Sequence, residues 1–199
     1  EWLTESWLVC YGDDFADILE RITTLEDSRL SERLASAIKR RFKEMGNSPY
    51  AKAVFDKLND TDNGSFHNER IAFTEAGSQL FLSMGLVSPV AVAQNLYSLI
   101  ERKSYDWLRD ELDGDVRRNL VWALENICMN ANAFINGAKC LAKLAVAENE
   151  QISNNATGQF LQLFHLFLSG TQADLKTRIT LLQSLRENEI YLPLIVQAI

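Results

Sequence analysis

Few residues in this chain combine a reactive side chain with a spacing suited to chemistry. Of the two histidines, His67 falls in a turn-rich segment and His165 lies between Phe164 and Leu166 beside an apolar face. Neither has a cysteine or carboxylate at metal-ligand spacing, so each reads as a packed or hydrogen-bonded histidine. Cys10, Cys128 and Cys140 form no Cys-x-x-Cys or Cys/His cluster and cannot all pair with one another. They read as small buried apolar groups in a reducing compartment. Asp60 and Asp62 are spaced like the first ligands of an EF-hand loop. With Asp60 in the first position, however, Gly64 arrives one residue early and Ile71 stands where a bidentate Glu is required, so the segment reads as a solvated turn. There is no Walker loop, no Gly-x-Ser-x-Gly and no glycine-rich dinucleotide turn, and so neither an enzyme nor a cofactor is expected.

The polar run from Ala147 to Gly158 is the strongest candidate for recognition. It carries Glu148, Asn149, Glu150, Asn154, Asn155 and Thr157 between two apolar helical patterns. Asn155 can cap the following helix by accepting from the N–H of Thr157 or Gly158, and Gly158 permits close approach of another backbone. A loop of this kind on one rim of a helical array is also where a partner is gripped. Those six residues are the candidate partner-binding set.

A second group, Trp107, Arg109, Asp110, Arg117, Arg118 and Trp122, resembles in residue type the surface that HEAT-like DNA glycosylases present to a damaged duplex. That resemblance implies a nucleic-acid-binding or glycosylase-like alternative. Against it stand the net charge of −7 and pI near 4.9, because binding to phosphate backbones rests on a basic surface. The one dense basic cluster, Lys39, Arg40, Arg41 and Lys43, reads as a helix end whose cations complement the dipole. Core packing and ion pairs are therefore the expectation for the Trp/Arg group, Trp122 included, and nucleic acid is not an expected partner.

The elements that would hold these residues are helices. Hydrophobic residues make up 47% and charged residues 24% of 199, with three prolines and nine glycines, a composition that folds and favours long helices with short connections. Capping residues and three- and four-residue apolar steps predict helices near 13–25, 29–45, 49–58, 75–85, 89–102, 104–112, 115–129, 132–147, 156–168, 174–186 and 189–198. Ser48-Pro49 and Ser88-Pro89 each place an N-cap before a proline at the first helical position, and Asp115 and Asp174 mark acidic starts. Arg70-Ile71-Ala72-Phe73 admits a short strand. The turn formers from Asn59 to Asn68 suggest a boundary between an N-terminal helical subdomain (1–68) and a helical-repeat region (69–199).

A shift of about 40 residues superimposes two helix pairs, near 115–147 and 156–186. Leu120, Ala123, Leu124 and Ile127 fall on Phe160, Leu163, Phe164 and Phe167, while Leu141, Ala142 and Ala145 fall on Leu181, Leu182 and Leu185. Each pair must bury its stripes on a neighbour. The expected fold is all-α: a right-handed α-solenoid or helical bundle of stacked antiparallel helix pairs, HEAT- or armadillo-like.

Four strings, Arg118-Asn119-Leu120-Val121-Trp122-Ala123-Leu124-Glu125, Ala147-Glu148-Asn149-Glu150, Asn154-Asn155-Ala156-Thr157-Gly158 and Leu168-Ser169-Gly170-Thr171, resemble a pattern of large bacterial STAND-type (NACHT-like) NTPases. In those proteins it belongs to helical regions downstream of the nucleotide-binding domain, which sense a target or regulate the switch. The resemblance covers roughly residues 115–185 and implies a non-catalytic interaction or regulatory module. Its partner would be a protein or other domains of the same longer chain. The start at Glu1 with Trp2, Leu3 and Trp7, and the apolar stretch Ile190–Ile199, read as the edges of such a longer polypeptide. No apolar run is long enough to span a bilayer, so a cytoplasmic location and no membrane partner are expected.

Overall fold

The computed structural model describes residues 55–56, 59, 67 and 69–199, and all regular structure among them is helical. The helices expected near 13–25 and 29–45, the Lys39–Lys43 cluster and the turn formers at 60–66 lie outside the described residues. Of the helix expected at 49–58, Phe55 and Asp56 are described and helical. The chain divides into two compact units at Ser88/Pro89.

In the first unit, α1 (Glu69–Ala72) precedes α2 (Glu75–Val87). The strand that Arg70–Phe73 admitted is absent. The backbone turns helically instead, with the Phe73 N–H donating to the Glu69 carbonyl at 3.1 Å, and no strand among the described residues is available to pair with it. Thr74 starts α2 by accepting from the Gly77 N–H at 3.1 Å. Leu80, Phe81 and Met84 are buried one turn apart on it.

The second unit is built round one helix. It contains α3 (Pro89–Glu101), α4 (Tyr105–Asp110), α5 (Gly114–Cys128), α6 (Phe134–Val146), α7 (Ala156–Gln162), α8 (Leu175–Leu185), a 3₁₀ turn (Glu189–Tyr191) and α9 (Leu192–Ala198). The proline start of α3 is where Ser88-Pro89 placed it, and Ser104 and Asp174 cap α4 and α8 by accepting from Trp107 N (3.1 Å) and Thr177 N (2.7 Å). α3, α4, α5, α7, α9 and the 3₁₀ turn all pack on α6. Such a hub must be narrow on several sides, and its buried residues include Gly137, Ala138, Ala142 and Ala145 between Phe134, Leu141 and Leu144. A Cβ at Gly137 would sit 2.8 Å from Cys128 Sγ, so glycine there is what lets α5 and α6 close on each other. Truncating Leu141 or Leu144 to alanine in this packing would cost about 2–5 kcal/mol.

The α5–α6 hairpin is the first of the two expected repeats, and its stripe is as read: Leu120, Ala123, Leu124 and Ile127 are buried. The second pair differs. The helix expected over 156–168 ends at Gln162, and α8 makes its main helix contact with α9 rather than lying along α7. Phe160 and Leu163 are buried, Phe164 is half-buried and Phe167 is in solvent. The chain leaves the helix because the Gly170 N–H folds back to the Gln162 carbonyl at 3.3 Å, with Leu168 in the left-handed region at φ 53°. The architecture is all-α and compatible with a bundle or a solenoid. No helix of the described residues is long and apolar enough to cross a membrane.

Candidate functional site

Ending helices inside a core creates a specific problem: the last carbonyls of each helix have no intrahelical donor. The second unit meets it three times with a buried cation. Lys143, on α6, donates to the Glu101 carbonyl at the end of α3 (2.6 Å), with its Nζ 5.5 Å from the Tyr105 ring centre. Arg178, on α8, donates through Nη1 to the carbonyls of Leu163 (3.2 Å) and His165 (3.0 Å), just past the end of α7. Arg117, on α5, is wholly buried. Its Nη1 donates to the Leu108 carbonyl (2.8 Å) in α4, and its Nη2 to those of Leu144 (2.8 Å) and Ala147 (3.0 Å) at the end of α6. A positive group at a helix C-terminus also opposes the negative end of the dipole.

The polar run Ala147–Gly158 assembles around Arg117. Glu148 Oε1 accepts from Arg117 Nη2 (3.3 Å) and from the N–H groups of Asn149 (3.1 Å) and Glu150 (3.2 Å). Its Oε2 accepts from the backbone N–H (2.9 Å) and hydroxyl (3.0 Å) of Thr157 at the start of α7. Asn149 Nδ2 donates to the carbonyls of Arg109 (2.7 Å) and Leu112 (3.1 Å), and Glu150 Oε1 accepts from Arg118 Nε (3.1 Å). Asn155 works in both directions: Oδ1 accepts from the Gly158 N–H (2.9 Å) and Nδ2 donates to the Glu150 carbonyl (2.8 Å). A Cβ at Gly158 would collide with the Ser153 carbonyl oxygen, the close backbone approach expected of that glycine. Burial weakens the hold of the Arg117 guanidinium on its proton, and the charges of Glu148 and Glu150 oppose that effect. Of the six candidate residues, five therefore share one network joining α4, α5, α6 and α7, while Asn154 is exposed outside it.

The Trp/Arg group does not form one surface. Arg117 is interior, whereas Arg109 is tied to Asp106 (2.8 Å) and Asp110 (2.9 Å) and Arg118 to Asp115 (3.2 Å) as well as Glu150. Lys103 lies over the Trp107 ring at 4.3 Å. Trp122, expected in the core, is 36% exposed, because the buried stripe of α5 runs through Arg117, Leu120, Val121, Leu124 and Cys128 and leaves position 122 on the other side. Cys128 and Cys140 are buried and unbonded to each other, and burial pushes both thiols up, away from the thiolate that reaction or metal binding needs. His67 Nε2 lies 3.2 Å from the Asn59 carbonyl, and His165 is exposed. No group of three His, Cys, Asp or Glu side chains among the described residues could hold a metal.

Two features escaped the sequence reading. The buried cations carry a visible signal, since Arg117, Lys143 and Arg178 each sit in register with an apolar stripe, where a solvated charge would not. The other feature is Leu166-Phe167-Leu168, which falls within the helix expected over 156–168, with Phe167 on its apolar stripe, and is 77%, 88% and 99% exposed. Its supports are well defined: the Gln172 N–H donates to the Met129 carbonyl (3.1 Å), and Thr171 and Ala173 are buried behind it. Comparison of the chain with protein-family profiles, curated proteins and solved structures finds no match.

Proposed function

We propose that this chain is a non-catalytic protein-interaction or regulatory module, a helical region of a larger STAND-type signalling NTPase, working in the cytoplasm. The observation that carries the reading is the exposed Leu166-Phe167-Leu168 segment. Three consecutive large apolar side chains in solvent, on a loop anchored at both ends, are the kind of contiguous patch that marks a protein contact. The four strings shared with the STAND-type pattern support the same reading, and Leu168 belongs to the last of them. The partner is a protein or another domain of the longer chain, and its first contact is the loop 166–168, with Asn154 the one member of the polar set outside the internal network.

The nucleic-acid alternative is weaker, since Arg109 and Arg118, the surface cations it needs, are already paired with carboxylates. The test is capture of partners on immobilised protein with Phe167→Ser as the paired control. A partner retained by the parent and lost by Phe167→Ser, with helicity and melting unchanged, is the expected result. Equal capture by both, or sub-micromolar duplex DNA binding with a steep salt slope, would overturn the reading.

A further inference from the structure

Helix α8 (Leu175–Leu185) carries two apolar stripes where a surface helix needs one. The buried side is formed by Arg178, Leu181 and Leu185. Beside it, at four- and three-residue steps, run Leu175 (50% exposed), Ile179 (44% exposed) and half-buried Leu182, with exposed Arg186 continuing the line. A spacing of four, three and four residues keeps side chains on one seam facing a partner helix. Lys176, Thr180 and Gln183 lie along its open flank, at about 100° per residue.

We propose that this seam pairs with the same seam of a second copy of the chain, antiparallel, about a two-fold axis near Thr180. The choice of occupant rests on charge. Antiparallel self-pairing layers Ile179 against Leu182 of the second copy. It also brings Lys176 toward Glu187 and Arg186 toward Asp174, each twice by symmetry, as an isologous interface requires. Asp174 Oδ1 is engaged by the Thr177 N–H, and a carboxylate accepts further bonds. Parallel pairing would set Arg186, on the seam, against Arg186 of the second copy and would separate Lys176 from Glu187 by the length of the helix. The seam offers few apolar side chains, so the dimer is a weak, reversible one. This inference is independent of the partner-binding reading, which concerns the loop at 166–168.

Sedimentation equilibrium of the whole 199-residue chain, over a micromolar to millimolar concentration series, tests it. The mass should rise from monomer toward dimer, and Ile179→Asp should hold it at monomer with unchanged helicity. Lys176→Glu should raise the dissociation constant about tenfold, and adding Glu187→Lys should bring it back. Both exchanges favour the helix dipole, acid at the start and base at the end, so loss of α8 would not explain a loss of dimer. Phe167→Ser should leave the dimer intact. A parent that stays monomeric, an Ile179→Asp that still dimerises, a double exchange that fails to restore association, or a dimer abolished by Phe167→Ser would each overturn the proposal.

Discussion

Arg117 shows how one side chain can hold several helices through its two terminal nitrogens. Nη1 donates to a carbonyl of α4, and Nη2 to carbonyls at the end of α6 and to Glu148. Removing it leaves those acceptors and a partly buried carboxylate without their cation, so Arg117→Met should cost about 3–5 kcal/mol in chemical denaturation. Arg117→Lys should recover only part of that, because one ammonium cannot span both helix ends as the planar fork does. Equal stability of parent and Met variant would mean the network contributes nothing. At Asn155 the capping role was legible from its place before Ala156-Thr157-Gly158, but the amide donor to Glu150 was not, since its acceptor is set by how the loop closes. Asn155→Ala should cost about 1 kcal/mol from the cap alone. Asn155→Asp keeps the cap, loses the donor and faces a carbonyl with a carboxylate, so it should restore less than a purely capping residue would. Full recovery by Asp would assign the whole effect to the cap.

Among the elements, helix starts closed by local chemistry matched expectation, and so did the ends of α3 and α6, while the end of α7 did not. Pro89 announces its helix because its missing N–H costs nothing at the first position, and Asp174 because it accepts from the Thr177 N–H within the first turn. The end of α7 has no such signal in its residues: Phe164 and Phe167 continue the helical period, while the backbone tightens to three-residue bonds at Leu163, Phe164 and His165, and Arg178 and the Gly170 N–H, from later in the chain, hold the segment out of the helix. The price of that exit is local strain at Leu168, a non-glycine residue at φ 53° with its side chain in solvent. Leu168→Gly should therefore raise stability by up to about 1 kcal/mol, relieving left-handed strain without losing packing. A drop in melting temperature for this variant would show that the Leu168 side chain makes contacts that its exposure denies.

At the scale of the whole molecule, the all-α class was legible because it follows from composition and period, while the division at Ser88/Pro89 was not, because compactness depends on which stripes meet. The second unit has the makings of an independent folding unit. Its hub α6 is covered by α3, α4, α5, α7 and α9 from within residues 89–199, and its three buried cations all find their acceptors there. A fragment of residues 89–199 therefore carries with it the helices that pack on α6 and the acceptors of all three cations. A fragment comprising residues 89–199 should therefore be helical by circular dichroism and unfold in one cooperative transition in urea. Introducing Arg117→Met into that fragment should lower the transition midpoint as it does in the whole chain, because every partner of Arg117 is present. A fragment that is helical but melts without cooperativity would show that residues 1–88 contribute to the core of the second unit, and that its packing is not self-sufficient.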